Sequence, residues 1–180
     1  MNQRKNEKDS GSPGIRRTVE IGGVSKKELL QQLSTRNVSL NAYAEQLFAD
    51  ERFTTSEVER TLLTVERSVE ELGFPEGATL PQVFEQASKL GFAPCPLELA
   101  VHLRLRYTDQ EDGGSASVPG SNQAPARSIT IASEPLSEDD EVPKGFYLRK
   151  IEGTLWLRGY RCDAEHVWQG EDRFVFALTP

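Results

Sequence analysis

The sequence predicts an α+β fold in which an N-terminal helical layer packs on a C-terminal antiparallel β-sheet. Helix-capping signals and helical spacing of apolar residues come first, over 25–104, and alternating, strand-like segments dominate 105–180. Because helices precede strands instead of alternating with them, a parallel sheet built from βαβ units is disfavoured. A chain of 180 residues is long enough for one domain with a substantial core, and we expect that domain to span 18–180.

Four helices are predicted in the N-terminal half. Ser25 with Glu28 has the spacing of a capping box, and a later helix begins at Thr79 with Gln82 at its third position. A second helix is expected over 39–49. A third is expected over 54–72, where Thr54 could cap the helix and apolar residues recur with helical period: Val58, Leu62, Val65, Val69 and Leu72.

The segment 97–107 is compatible with either type of structure. Pro96 suits the start of a helix, whereas Val101, Leu103 and Leu105 alternate like a strand, and we predict a short helix that passes into a strand. Two polar stretches, 108–127 and 134–144, are predicted to be mobile links, and residues 1–17 a flexible arm that meets a short strand over 17–21.

Strands are predicted over 128–133, 146–151, 154–160 and 173–178. The clearest pair is the hairpin formed by 146–151 and 154–160, because Glu152-Gly153 suits a tight connection between two alternating segments. The expected result is an antiparallel meander in the C-terminal half.

Charge and composition exclude several classes of function. The formal net charge of -7 makes nucleic-acid binding unlikely, because such binding draws on clustered Lys and Arg. No apolar stretch is long enough for a membrane span, and the polar N-terminus lacks a secretory signal. Two distant cysteines, Cys95 and Cys162, favour reduced thiols over a disulfide framework. We therefore expect a soluble cytoplasmic protein.

The strongest candidate for a binding surface is a mixture of aromatic and arginine residues in the β region. Guanidinium groups and aromatic rings together suit an anionic or aromatic ligand, or a protein partner, although aromatic residues in strands are also common in cores. We predict an intracellular binding or regulatory module whose partner is a protein or a small ligand. Its candidate residues are Tyr147, Arg149, Trp156, Arg158, Tyr160 and Trp168.

The alternative is a small hydrolase or transferase with its site at 161–166. In this interpretation His166 is the acid or base, Asp163 or Glu165 orients its ring, and Arg161 stabilises negative charge. Such residues in a turn more often cap or fix the loop.

Metal and nucleophilic chemistry have weaker signals. Cys95, His102, Cys162 and His166 could supply four ligands, but their intervals match no standard zinc spacing, so no metal or cofactor is predicted. Cys95 lies between two prolines, as in a structural turn. Glu98 and His102 would share one face of a helix, where ordinary packing is the expected role.

Four motifs carry a resemblance to other proteins. They are LGFPEGAT at 72–79, CPLEL at 95–99, PKGFYLR at 143–149 and LWLRGY at 155–160. On these motifs the chain resembles an uncharacterised family of soluble bacterial proteins with no established activity, over about 19–176. The resemblance therefore implies no substrate and no catalytic residue.

Overall fold

The structure is a computed structural model that describes residues 14–115 and 124–179. In these ranges, four helices are present: α1 Lys26–Thr35, α2 Ala42–Ala49, α3 Leu80–Lys89 and α4 Leu97–Arg106. The strands are β1 Ile15–Ile21, β2 Ser39–Leu40, β3 Arg60–Ser68, β4 Ala78–Thr79, β5 Phe92–Ala93, β6 Ile129–Ile131, β7 Gly145–Ile151, β8 Thr154–Tyr160, β9 Val167–Trp168 and β10 Arg173–Leu178.

The main sheet has the strand order β1-β3-β10-β6-β7-β8-β2, and β5 pairs with the end of β10. Most neighbours are antiparallel, but β6 with β10 and β2 with β8 are parallel. The predicted α+β class is confirmed, whereas the sheet is mixed instead of wholly antiparallel. Three strands of the N-terminal half, β1, β2 and β3, also belong to it. Strands β4 and β9 form a separate antiparallel pair.

Two hydrophobic clusters lie on the two faces of the main sheet. Successive residues of β10 alternate between them, as side chains of a strand must. Helices α1, α2 and α4 contribute to the cluster that contains Leu148, Leu157 and Val175, and we call this side the helical face. Helix α3 contributes to the cluster that contains Phe174 and Phe176 on the opposite face.

The predicted third helix over 54–72 is wrong. The segment contains β3, which pairs with β1 on one side and β10 on the other. Val58, an expected core residue, is 71% exposed, whereas Glu66 is buried between Arg17 and Arg173, whose guanidinium nitrogens lie 2.7 and 2.6 Å from its carboxylate oxygens. The helical period was a coincidence of spacing, and pairing with two strands overrode it.

The segment 97–107 is helical to Arg106, so the predicted change to a strand is also wrong. Every residue from Leu97 to Leu105 is buried. Because this helix is enclosed, its apolar residues are not confined to one stripe, and their alternation resembles that of a strand. The second helix starts at Ala42 instead of residue 39, because Asn41 caps it and β2 occupies the preceding positions.

Other local predictions are confirmed. Ser25 and Glu28 form the capping box of α1, and Thr79 and Gln82 form that of α3. Strands β8 and β10 have the predicted bounds. The bounds of β6 and β7 differ from the predicted ones by at most two residues at either end. In the β7–β8 turn both central residues have positive φ, and Gly153, at +82°, adopts it without strain from a Cβ atom.

The predicted links and arm lie only partly in the described ranges. Residues 1–13 and 116–123 fall outside them, and positions 15–17, assigned to the arm, belong to β1. In the first link, Gln110 is buried and its side-chain amide donates to the Leu148 carbonyl. In the second, carbonyls of Ser137 and Asp139 accept from Lys144 Nζ. No helix in the described ranges is long and apolar enough to span a membrane.

Candidate functional site

Five of the six residues predicted for the binding surface lie on one face of the β7–β8 hairpin. Opposite residues in an antiparallel pair share a face, and Tyr147 faces Arg158 while Arg149 faces Trp156. Tyr160 is opposite Gly145 in the same row. The sixth, Trp168 of β9, packs its ring edge to face against Tyr160, with centroids 5.4 Å apart. We call these six residues the aromatic-arginine face.

Arg158 lies between two aromatic rings of this face. Its guanidinium carbon is 5.0 Å from the Trp156 ring centroid and 5.9 Å from that of Tyr147. Both distances lie within the range of cation–π attraction. No carboxylate of the described residues forms an ion pair with Arg158. Among the described residues, the contacts recorded for its positive charge are therefore with aromatic rings and not with carboxylates.

Four atoms of the aromatic-arginine face are enclosed but have no hydrogen-bond partner among the described residues. They are Arg149 Nε, Arg158 Nε, Tyr160 Oη and Trp168 Nε1. The guanidinium and indole nitrogens can only donate hydrogen bonds. Burial raises the pKa of Tyr160, so that its hydroxyl keeps its proton and can donate as well. Among the described residues, these four enclosed donors lack the acceptors that buried polar groups in folded proteins normally have.

A cavity of about 370 Å³ adjoins this face. We call it the Trp168 cavity. It is lined by Ala124, Pro125, Ser128, Thr130, Tyr147, Tyr160, Arg161, Cys162, His166 and Trp168. Thr130 and Tyr147 are opposite residues of β6 and β7, so the sheet forms one wall. The cavity has the size of a small-ligand site and contains no carboxylate in its lining.

The position of Trp168 depends on β9, a strand that the sequence did not predict. Trp168 pairs with Ala78 of β4, and its ring also packs on Phe174, with centroids 4.9 Å apart. The backbone of Gly77 fits closely beside the Trp168 carbonyl, where a Cβ atom would approach to 2.5 Å. The β4–β9 pair therefore holds the indole over the main sheet.

Three of the four residues of the enzyme alternative, Asp163, Glu165 and His166, line a second cavity of about 410 Å³. The fourth, Arg161, lines the Trp168 cavity together with His166. The His166 ring packs edge to face on Trp168 with centroids 5.3 Å apart. Asp163 instead accepts from the backbone N–H groups of Glu165 and His166, as in a turn. Arg161 forms an ion pair with Glu141. In the described part of the chain, no ion pair joins the His166 ring to Asp163 or Glu165.

Neither cysteine has the environment of an activated nucleophile. Both thiols are free. Burial raises the pKa of Cys95 to about 12 and that of Cys162 to about 11, so both remain protonated at neutral pH. In the described ranges, no three histidine, cysteine or acidic residues form a group that could hold a metal ion.

Two ionisable residues are buried next to each other in α4, away from the aromatic-arginine face. Glu98 Oε2 and His102 Nε2 lie 3.6 Å apart, and neither atom has a hydrogen-bond partner among the described residues. Burial raises the pKa of Glu98 and lowers that of His102. Sequence reasoning placed both residues on one helical face but gave them only a packing role.

Sequence reasoning gave no site role to two polar residues of the Trp168 cavity, Ser128 and Thr130. Both lie in the predicted strand 128–133, where small polar residues give no signal of a binding site. Comparison of the chain with protein-family models, curated proteins and solved structures found no match. The geometry of the site is therefore the basis of the functional argument.

Proposed function

We propose that the protein is a cytoplasmic, non-enzymatic binding module whose aromatic-arginine face holds an anionic small molecule. The observation that carries this proposal is the concentration of four unpartnered donor atoms on one face of the sheet: Arg149 Nε, Arg158 Nε, Tyr160 Oη and Trp168 Nε1. A ligand with several acceptor oxygens would satisfy donors that no described residue satisfies.

Electrostatics supports an anion in a protein whose net charge is -7. Acidic residues outnumber basic ones in the chain as a whole, yet none lines the Trp168 cavity. Arg149 and Arg158 lie on the same strand face as Tyr147, which lines the cavity. Burial lowers the pKa of Arg149, and repulsion from Arg158 lowers it further, whereas Tyr147 and Asp112 raise it. An anion between or beside the two guanidinium groups would relieve that repulsion.

The concave shape favours a small molecule over a protein partner. Four of the ten lining residues carry aromatic rings, and they lie beside several polar groups, a combination that occurs in small-ligand sites. A cytoplasmic location agrees with two free thiols, since disulfides form mainly in oxidising compartments.

Thermal unfolding with a ligand panel tests the proposal. The panel contains mononucleotides, amino acids, aromatic and aliphatic carboxylates, and inorganic phosphate. The variants are Arg158→Gln and a matched control, Arg16→Gln, which removes an exposed arginine from β1 at the far edge of the same sheet. We expect at least one anion to raise Tm for the wild type and for Arg16→Gln but much less for Arg158→Gln.

Two results would contradict the proposal. One is an unchanged Tm with every anion in the panel. The other is equal stabilisation of the two arginine variants, which would place the anion elsewhere. Near-UV circular dichroism of Arg158→Gln checks that the variant keeps its native aromatic packing.

A further inference from the structure

We infer that the Trp168 cavity is a subsite for a small planar aromatic carboxylate. The inference rests on the proposed function and specifies its ligand class. It depends on three features of the cavity: its aromatic walls, its two deeply buried donors and its lack of acidic groups.

The aromatic walls favour a flat ligand. The rings of Tyr160 and His166 are both nearly perpendicular to the Trp168 indole, with interplanar angles of 88°. Tyr147 contributes a further ring beside Thr130. Aromatic groups prefer edge-to-face and offset stacked contacts, so a planar ring gains more here than an aliphatic one.

The donors favour a carboxylate. Tyr160 and Trp168 are 9% and 5% exposed, and their Oη and Nε1 atoms have no partner among the described residues. The two oxygens of a carboxylate can accept from two such donors. Burial keeps the Tyr160 hydroxyl protonated, so that it donates to an anion instead of repelling it.

The charges at the cavity favour a monoanion over a phosphate group. Arg161 is the one arginine in the lining, and it already forms an ion pair with Glu141. A phosphate dianion is usually held by several cationic or backbone donors. A carboxylate needs fewer donors. The cavity volume of about 370 Å³ accommodates one or two fused aromatic rings with space for water.

NMR of the indole N–H signals gives a direct test. The chain has two tryptophans, and Trp156→Phe assigns the Trp168 signal by elimination. Sodium benzoate is the probe, with sodium cyclohexanecarboxylate, benzamide, sodium acetate and inorganic phosphate as comparisons. We expect benzoate to shift the Trp168 N–H signal downfield, as hydrogen bonding does, and to bind at least fivefold more tightly than each comparison compound.

Two variants and one chemical readout locate the ligand. Tyr160→Phe removes one donor and should weaken benzoate binding about five- to tenfold. Tyr107→Phe, a tyrosine outside the cavity, should leave it unchanged. Benzoate should also slow alkylation of Cys162, which lines the cavity, whereas Cys95 is buried elsewhere.

The outcomes separate this inference from the proposed function. Benzoate could fail to shift the Trp168 signal and to protect Cys162 while an anion of the panel still stabilises the protein through Arg158. In that case the inferred subsite is wrong, and the proposed binding module is retained. If no anion acts through Arg158 either, both are wrong. Equal binding of benzoate and cyclohexanecarboxylate would overturn the requirement for a planar ligand.

Discussion

The two faces of the β7–β8 hairpin differ in how completely their groups are satisfied. On the helical face, Leu148 and Leu157 are fully buried opposite each other. On the other face, Tyr147 and Arg158 are only partly buried, and Arg158 Nε has no partner among the described residues. Both faces carry a hydrophobic cluster, but within the hairpin only the second also carries donors without a partner among the described residues, which the proposed function assigns to a ligand.

The largest expected effect on stability comes from a comparison of substitutions at two neighbouring residues of β8. Leu157→Ala removes a fully buried side chain on the helical face and should lower the free energy of unfolding by about 3–4 kcal/mol. Trp156→Ala removes a larger but partly exposed side chain from the opposite face and should cost about 1 kcal/mol. Urea unfolding measures both, and equal losses would mean that both faces serve stability.

The next effect concerns the buried Arg104 of α4, which connects the helix to the hairpin. Its guanidinium donates to Gln110 Oε1 at 2.6 Å and to the carbonyls of Arg149 and Trp156 at 3.4 and 3.3 Å. Arg104→Met should cost about 2–3 kcal/mol, because these acceptors lose their donor without access to water.

Arg106→Met is the matched control for this prediction. Arg106 is on the same helix, but its pairing with Glu20 is exposed, so the substitution should cost less than about 1 kcal/mol. Chemical unfolding of both variants compares them. Similar losses would show that the bonds of Arg104 to the hairpin contribute little.

A pH-dependent effect should arise from Glu98 and His102, on the helical side. Glu98 has a raised pKa, so its stabilising contribution is complete below pH 4.5 and is lost as pH rises through its folded value. His102 has a lowered pKa, so its contribution is complete above pH 6.5 and is lost as pH falls.

Single variants separate the opposite pH dependences of stability expected from Glu98 and His102. Relative to the wild type, Glu98→Gln should gain stability as pH rises above 4.5, whereas His102→Gln should gain stability as pH falls below 6.5. Urea unfolding across this pH range measures both differences. Differences that do not change with pH would mean that neither group is desolvated enough to couple protonation to folding.

The smallest effect is expected at the rim of the Trp168 cavity. Arg161→Gln breaks an exposed ion pair with Glu141 and should change the unfolding free energy by less than about 1 kcal/mol. Thermal unfolding at low and high salt checks this value. A larger, salt-sensitive loss would show that Arg161 stabilises the fold and would weaken its assignment to the rim of a ligand site.

Sequence reasoning succeeded where the signal is local. The capping boxes of α1 and α3 and the β7–β8 hairpin depend on residues within a few positions of one another. The alternation of Leu148 and Leu157 with Tyr147 and Arg158 also follows from the two-residue period of a strand. The grouping of the candidate binding residues on one face was therefore accessible from the sequence.

Sequence reasoning failed where distant segments decide the structure. The period of 58–72 fitted a helix, but β3 lies between β1 and β10, and Glu66 is buried there because Arg17 and Arg173 neutralise it. Helix α4 was misread for a related reason: several elements pack around it, so its apolar residues are not confined to one stripe.

The sequence by itself determined the α+β class, the capping boxes of α1 and α3, and the β7–β8 hairpin. The tertiary structure decided the mixed strand order, the burial of Glu98 with His102, and the Trp168 cavity. The physical reason is the range of the forces involved. Caps, turns and strand alternation arise from neighbouring residues, whereas a cavity exists only after β9, β6 and β8, far apart along the chain, pack around it.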